Sequence, residues 1–214
     1  MKIFTENPLP AKTILNESGC SVSLEIEDLN SDHISQELAS GRRCAVLLGD
    51  DDSIAEILDL CAGLGNCAVI VFDSNLAAKE SLFPCLLQAI KQGGIQKEAV
   101  VYAGSHSYDL LGYNFFRENR LKNYAMKEIS VEGVQEVSDN ILAATNKYAH
   151  AAVFIHERVA GGAGLTRREL IYFVQRIALL RNLRLLCLQS RESSLAIKLC
   201  SEFYQSYPNG LCGK

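Results

Sequence analysis

An apolar run that ends in three consecutive carboxylates is the first feature of this sequence that could do chemistry. The segment reads CAVLLGDDDSIAE, from Cys44 to Glu56, and its aspartates are Asp50, Asp51 and Asp52. Oxygen donors at the end of a strand could hold Mg²⁺ or Mn²⁺, or act as a general acid and base. They could equally cap the helix that follows, because acidic side chains stabilise the positive end of a helix. The residue types alone leave all three interpretations open.

The other apolar runs of the chain also end in polar or charged residues. These ends are residues 73–75, 104–106, 156–158 and 189–191. In parallel α/β proteins, ligands bind at the carboxyl ends of the strands. The residues that end strands are therefore the candidates for function.

Eight short apolar runs predict the strands themselves. They read MKIFT, SVSLEIE, CAVLLGD, CAVIVFD, AVVYAGS, YAMKEIS, AAVFIHE and LRLLCLQ. Most are continuously apolar, which is typical of strands buried on both faces of a parallel sheet. The clearest strands are expected at 44–49, 67–72, 99–104, 151–156 and 183–188.

Helical patterns lie between these runs. Two of them open with capping boxes, one at Ser53 with Glu56 and one at Thr166 with Glu169. Strands that alternate with helices from end to end predict an α/β fold, a three-layer α/β/α sandwich with a mostly parallel sheet of about eight strands. No linker interrupts the pattern, so a single domain over residues 1–214 is expected.

The composition of the chain limits the classes of binding partner and the cellular compartment that we expect. The 214-residue chain has a formal net charge of −4, which disfavours nucleic acid and anionic membranes as partners. No apolar run approaches the length of a membrane span, and MKIFTENPLPAK lacks the apolar core of a secretory signal. None of the eight cysteines forms a Cys-x-x-Cys pair, and most lie inside apolar runs. Buried thiols of this kind predict a cytoplasmic protein rather than a disulfide or zinc framework.

Five segments follow one another in a recognisable order. They are AVLLGDDDSIA, VIVFDSNLA, AAVFIHE, GLTRRELIYFVQRI and LRLLCLQS. They resemble, in order and spacing, the motifs of the ureohydrolase superfamily, which comprises arginase, agmatinase and formiminoglutamase. The corresponding family motifs are Gly-Gly-Asp-His-Ser, Asp-Ala-His-x-Asp, Ser-Phe-Asp-x-Asp, Gly-Leu-Thr-x-Arg-Glu and a strand that ends in glutamate. The resemblance covers roughly residues 40 to 200 and implies the arginase-like fold.

The resemblance also implies where a metal centre would lie. The family hydrolyses guanidinium-type substrates with two bridged manganese ions, which activate a water molecule. Its six metal ligands fall on Asp52, Asp73, Asn75, Ala77, Ile155 and Glu157, and the glutamate that receives the substrate falls on Cys187. Only Asp73 keeps the family's residue. Two alkyl side chains among the six positions cannot offset the repulsion between two dications.

Two hypotheses about function follow from the resemblance. The first is a catalytically inactive arginase-fold protein without a cofactor, which binds a small molecule or a protein, either as a homo-oligomer or with an active paralogue. The second is a divergent hydrolase of a C–N bond that holds one Mn²⁺ or Mg²⁺ ion on Asp52, Asp73 and Glu157. Further residues expected to line the cleft are Asp51, Asn75, His106, Arg158 and Cys187.

The remaining features have simpler interpretations. Side chains alternate along a strand, so His156 is expected to face away from the side of Ile155 and Glu157. The segment AGGAG at 160–164 lacks the Lys-Ser/Thr ending of a phosphate loop and is interpreted as a tight connection. Near the end of the chain, Phe203 is expected to pack on the sheet, whereas Tyr204 and Tyr207 are expected at an interface.

Overall fold

Eight parallel strands form the central sheet of the computed structural model, which describes residues 2–5, 25–48, 53–76, 82–190 and 193–205. The strands are β1 (Lys2–Thr5), β2 (Glu25–Asp28), β3 (Cys44–Leu48), β4 (Cys67–Phe72), β6 (Val100–Ala103), β8 (Lys122–Tyr124), β9 (His150–His156) and β10 (Leu183–Gln189). They lie in the order β2-β1-β3-β10-β9-β4-β6-β8, and every pair is parallel. The two-residue strands β5 (Asn75–Leu76) and β7 (Ser107–Tyr108) pair with each other in a separate, parallel two-stranded sheet. The predicted α/β fold is confirmed.

Helices cover both faces of the sheet. One face carries α1 (Ser31–Ala39), α2 (Ile54–Gly63), α3 (Phe83–Lys91) and α4 (Leu110–Asn119). The other carries α5 (Met126–Glu132), α6 (Val134–Thr145), α7 (Arg167–Ile177) and α8 (Ser193–Gln205). Short 3₁₀ turns lie at Lys97–Ala99 and Glu157–Val159. The chain thus covers one face first and then the other.

Two apolar clusters form the core, one on each face. Successive residues of the central strands alternate between them: Ile155 packs against α7 and α8, whereas Phe154 packs on the α1–α4 face. Both neighbours are at most 2% exposed. Strands buried on both faces in this way explain why the sequence shows continuous apolar runs rather than alternation.

The predicted bounds of the five clearest strands agree with the structure to within one residue. The run YAMKEIS is different. Its apolar content predicts a strand, but only Tyr124 belongs to one, and Met126 begins α5. The Glu128 carboxylate accepts a hydrogen bond from the Ala125 backbone N–H at 3.1 Å, which favours a helix start over an extended strand.

The two predicted capping boxes differ in outcome. Thr166 Oγ1 accepts from the Glu169 N–H at 3.2 Å, and Glu169 Oε2 accepts from the Thr166 N–H at 2.7 Å, so the second box is confirmed. The first is wrong, since Ser53 has helical backbone angles and its side chain makes no capping hydrogen bond.

The aromatic residues of α8 correct one expectation. Phe203 is 1% exposed and packs in the core as expected. Tyr204, however, is only 3% exposed, and its hydroxyl donates to the Lys2 carbonyl at 2.6 Å. Its assignment to an interface is therefore wrong, because its own chain buries it. Tyr207 lies outside the described residues.

The cysteines among the described residues are thiols and not disulfides. Five of them are buried, namely Cys44, Cys61, Cys67, Cys187 and Cys200, and Cys85 is half-buried. Cys20 and Cys212 lie outside the described residues. None of the described helices is long and apolar enough to cross a membrane.

Candidate functional site

A buried ion pair lies at the carboxyl ends of β4 and β9. Asp73 follows β4 directly and is completely buried. Its Oδ1 accepts from Arg158 Nε at 3.0 Å and from the Asn75 backbone N–H at 3.2 Å. The guanidinium is about a quarter exposed, with 28% of the side chain accessible. A cation that belongs to the chain itself therefore neutralises the carboxylate.

The 3₁₀ turn after β9 places the guanidinium. His156 ends the strand, and its Nδ1 accepts from the Arg158 backbone N–H at 3.1 Å. The next residues form a tight loop, in which Leu165 donates to the Val159 carbonyl and Gly161 donates to the Leu165 carbonyl, both at 2.8 Å. The predicted tight connection is confirmed, and it holds the turn that carries Arg158.

Glycine is required twice around this turn. A Cβ on Gly164 would lie 2.4 Å from the Val159 carbonyl oxygen. A Cβ on Gly104, which has a φ of +88°, would lie 2.5 Å from Val159 Cγ2. The turn therefore packs against the end of β6 more closely than any larger residue permits.

The hydroxyl of Tyr102 contacts the backbone next to the ion pair. Tyr102, on β6, donates to the Asn75 carbonyl at 2.8 Å. Burial, followed by the negative charge of Asp73, holds the pKa of this hydroxyl well above its usual range, and the charge of Arg158 opposes the shift. The hydroxyl therefore acts as a neutral hydrogen-bond donor that fixes the backbone beside Asp73.

Glu157 has a different partner. Its Oε2 accepts from the hydroxyl of Ser190, which follows the end of β10, at 2.7 Å. With Ile155, Glu157 lines a small cavity that faces α7 and α8. Cys187 is 1% exposed and belongs to the cluster on the opposite face, so this thiol lies in the core rather than at a cleft.

His106 and Asn75 are two further residues that the sequence predicts in the lining of the cleft. His106 is exposed, and its backbone N–H donates to the Ser74 carbonyl at 3.0 Å. Its side chain lines a pocket of about 640 Å³ beside β6, β8 and α4. Asn75 is half-buried next to Asp73.

The predicted three-carboxylate metal site, on Asp52, Asp73 and Glu157, stays a prediction, because one of its ligands lies outside the described residues. Asp50, Asp51, Asp52 and Ala77 lie outside the described residues. Within the described ranges, no group of three or more His, Cys, Asp or Glu side chains is arranged to hold a metal ion. Asp73 pairs with Arg158, and Glu157 pairs with Ser190.

Three buried polar atoms at the ion pair lack a hydrogen-bond partner among the described residues. They are Asp73 Oδ2, Asn75 Oδ1 and Arg158 Nη2. Two of them are oxygens of the kind that bind a divalent cation. However, a dication on Asp73 Oδ2 would lie close to the guanidinium already bound to Oδ1, and the like charges would repel strongly in this buried setting.

These residues do not fit a pair of bridged metal ions. Such a pair needs several anionic oxygens to offset the repulsion between two dications. The four described positions offer two carboxylates, of which Asp73 is paired with a cation and Glu157 is bound by the Ser190 hydroxyl, together with one amide and the alkyl side chain of Ile155. The two-metal arrangement implied by the resemblance is therefore not supported by the chemistry of these donors.

The sheet and its two helical layers define an α/β/α protein with a site at the ends of β4 and β9. Within that class, the chain has the fold of arginases and formiminoglutamases. Formiminoglutamase from Trypanosoma cruzi, solved with Mn²⁺, superposes with a TM-score of 0.81 at 12% identity, over 96% of this chain and 92% of that one. Formimidoylglutamase from Bacillus subtilis gives 0.79 at 15% identity, over 97% and 87%.

Arginase from Bacillus caldovelox gives a TM-score of 0.74 at 17% identity, over 95% of this chain and 97% of that one. At these identities the likeness establishes the fold. No protein-family model and no curated protein sequence matches the chain. The arginase-like fold implied by the strand-end motifs is thus confirmed by structure.

Sequence reasoning misses the role of two site residues. It places Arg158 only in the lining of the cleft, although an arginine directly after Glu157 at a strand end is a usable signal for a cation beside carboxylates. It gives Tyr102 no part in the site. Tyr102 lies inside an apolar run, where the sequence does not distinguish a core aromatic from one that reaches a polar partner.

Proposed function

We propose that this chain is an arginase-fold protein that acts by binding, without ureohydrolase activity. The contact that carries the proposal is the 3.0 Å hydrogen bond from Arg158 Nε to Asp73 Oδ1. Asp73 is the one position where the sequence keeps a metal-ligating residue of the family it resembles. A guanidinium there supplies the positive charge that a buried carboxylate requires, and it competes with a metal ion for the same oxygen.

Two further features support the proposal. Ile155 is 2% exposed and packs in the apolar core, at a position where the resemblance implies a carboxylate ligand. Glu157 is held by the Ser190 hydroxyl instead of facing Asp73 in a group of ligands. These substitutions support the proposal, because the described positions hold fewer anionic oxygens than water activation by two metals uses.

A divergent hydrolase with one metal ion is the second candidate. The buried Asp73 Oδ2 and Asn75 Oδ1, which have no partner among the described residues, favour it. Such an enzyme would cleave a C–N bond with a single Mn²⁺ or Mg²⁺ on Asp52, Asp73 and Glu157. It would require Arg158 to leave Asp73 Oδ1, or to share the carboxylate with the ion.

One experiment separates the two candidates. The purified chain is dialysed against Mn²⁺, its metal content is measured, and it is assayed with arginine, agmatine and formiminoglutamate. We expect no product above the enzyme-free control and no bound metal after gel filtration. Product formation that Asp73→Asn abolishes would overturn the binding proposal and support the hydrolase. An active arginase in parallel confirms that the assay works.

The partner classes follow from the same proposal. The proposed ligand is a small molecule or another protein, and a homo-oligomer or an active paralogue remains a proposed assembly in a cytoplasmic setting. The buried Tyr204 no longer supports self-association. Light scattering at micromolar concentration measures it directly, and a monomeric mass would remove the homo-oligomer.

A further inference from the structure

A second pocket has a lining that includes neither residue of the ion pair. It has a volume of about 640 Å³ and is bounded by α4, the ends of β6 and β8, and the start of α5. None of these elements carries Asp73, Glu157 or Arg158. The volume lies within the range of small-molecule sites.

The pocket is positively charged in a chain that is negative overall. Arg117, Arg120 and Lys127 line it, and Glu128 is the only carboxylate among the described residues of the lining. Counting His106 as neutral, three cations and one anion leave a charge of +2 in the lining, whereas the whole chain carries −4. None of the three cationic side chains makes an ion pair or hydrogen bond with any described residue.

Helix electrostatics account for only part of this charge. Arg117 lies in the last turn of α4, where a cation stabilises the negative end of the helix. Lys127 lies in the first turn of α5, where a cation is unfavourable. Arg120 has left-handed backbone angles, φ 52° and ψ 40°, a conformation that glycine or asparagine adopts more easily. At Lys127 and Arg120, therefore, local structure does not explain why the residue is cationic.

A pair of exposed aromatic rings completes the pocket. Tyr108 and Tyr113 both line it, and they are 63% and 46% exposed. Their ring centroids lie 5.6 Å apart with an interplanar angle of 32°. Tyrosines exposed in this way offer flat faces on which a planar group can stack.

The polar wall adds a hydrogen-bond donor. Ser105 is 2% exposed, and its hydroxyl donates to Asn123 Oδ1 at 3.0 Å. That bond fixes the orientation of the Asn123 amide and leaves its NH₂ group, which donates to no described residue, available to an acceptor in the pocket.

We infer that this pocket binds a small aromatic phosphate monoester, with the phosphate on Arg117, Arg120 and Lys127 and the ring on Tyr108 and Tyr113. A phosphate monoester carries about −1.5 to −2 charges at pH 7, which matches the +2 of the lining. Guanidinium groups bind such oxyanions through two parallel hydrogen bonds. The inference names a ligand class for the binding role proposed above and rests on that role, but it uses none of the residues of the ion pair.

The test is calorimetric titration of the full chain with adenosine 5′-monophosphate as the probe. We expect saturable binding that weakens as salt is raised, because exposed charges are screened. Adenosine and inorganic phosphate should each bind at least about tenfold more weakly, since each lacks one half of the recognised group. No binding of the monophosphate, or equally tight binding of adenosine, would overturn the inference.

Substitutions of the lining residues, compared with a control substitution, test whether the monophosphate binds in this pocket. Arg117→Gln combined with Arg120→Asn should weaken monophosphate binding at least about tenfold, as loss of charge-assisted contacts does. Lys127→Glu should weaken it similarly while leaving α5 at least as stable, because an acidic residue suits a first turn. Arg181→Gln is the control, since Arg181 is exposed and precedes the amino end of the central strand β10, whereas the pocket lies at the carboxyl ends of β6 and β8. Unchanged affinity in both pocket variants would refute the site.

The result of the binding titration can be distinguished from the result of the hydrolase assay. Asp73-dependent product release would overturn the binding-only role while leaving monophosphate binding to stand by itself. Absence of both activity and monophosphate binding would overturn the pocket inference alone.

Tyr113→Leu tests the stacking of the ring. This variant should weaken the binding of the monophosphate but not the binding of inorganic phosphate, and an equal loss of affinity for both would contradict stacking.

Discussion

Asp73 and Arg158 form an ion pair whose partners differ in exposure. The carboxylate side chain is 0% exposed and the guanidinium side chain 28%. A buried carboxylate without a cation retains its desolvation penalty and loses the attraction that offsets it. This asymmetry makes Arg158 the residue whose charge offsets the burial of the Asp73 carboxylate.

We therefore expect Arg158→Met to lower the free energy of unfolding by about 3 kcal/mol, because it leaves Asp73 unpaired in the interior. Urea denaturation measures the change. Asp73→Asn should recover much of the loss in the double variant, since an amide needs no counter-ion. Arg181→Met, at an exposed arginine, is the control. A loss no larger than that of the control would contradict the structural role assigned to Arg158.

At the scale of single residues, the sequence indicates which positions to examine but not how they pair. Asp73 and Glu157 both follow apolar runs, which places them correctly at strand ends. Their partners come from chain segments 85 and 33 residues away, Arg158 and Ser190. Such pairing depends on the register of neighbouring strands and on a 3₁₀ turn, and neither leaves a periodic signal in the sequence.

Among the elements, α4 packs unusually closely on β5. A Cβ on Gly112 would lie 1.7 Å from the Leu76 carbonyl oxygen, a distance that requires the helix to move. Gly112→Ala should therefore destabilise the protein by about 1–3 kcal/mol, as overpacking does. It should also weaken binding in the adjoining pocket, which Leu76 and Tyr113 line.

The control for Gly112→Ala is a glycine with free space around it. A Cβ added to Gly63, the last residue of α2, would have no atom within 4 Å, and the φ of this residue is not positive. Gly63→Ala should be neutral or stabilising by up to about 1 kcal/mol, since alanine is the better helix former. Thermal unfolding compares the two, and equal effects would show that the contact with Leu76 is unimportant.

The capping box of α7 allows a second test at this scale. Thr166 and Glu169 exchange hydrogen bonds of 3.2 and 2.7 Å at the start of the helix. Thr166→Ala should cost about 1 kcal/mol of stability, and Thr166→Ser, which keeps the hydroxyl, should cost clearly less. Urea midpoints measure both. An equal loss in the two variants would assign the effect to the threonine methyl group instead of the cap.

The elements also show where pattern reasoning succeeds and where it fails. β3, β4, β6, β9 and β10 are predictable because burial on both faces produces continuous apolar runs. YAMKEIS also contains apolar residues but folds mainly as α5, because a hydrogen bond to the Glu128 side chain starts a helix there. In a run this short, one local hydrogen bond outweighs the weak preference of the apolar residues.

For the molecule as a whole, the two apolar clusters bury many groups that ionise at alkaline pH. Burial, and then the charge of Glu37, raises the pKa of Cys44 from 9.0 to about 12. Burial likewise raises the pKa of Cys200, and the pKa values of Tyr102 and Tyr204 lie well above their usual range. These groups lie on both faces of the sheet, and all shift in the same direction.

Alkaline pH should therefore destabilise the fold steeply. In the unfolded chain a thiol loses its proton above pH 9.0, whereas the folded Cys44 keeps it up to about pH 12. Between these values the folded state holds more protons, so the free energy of unfolding falls as pH rises, by about 1.4 kcal/mol per pH unit for each such thiol. Urea titrations at pH 7, 9 and 10 should show little change up to about pH 9 and a clear loss beyond it.

Cys44→Ala should lower stability at pH 7 but reduce the alkaline slope, whereas Ile57→Val, a core change without a titratable group, should leave the slope unchanged. An alkaline slope that Cys44→Ala does not alter would mean that this thiol does not couple protonation to folding.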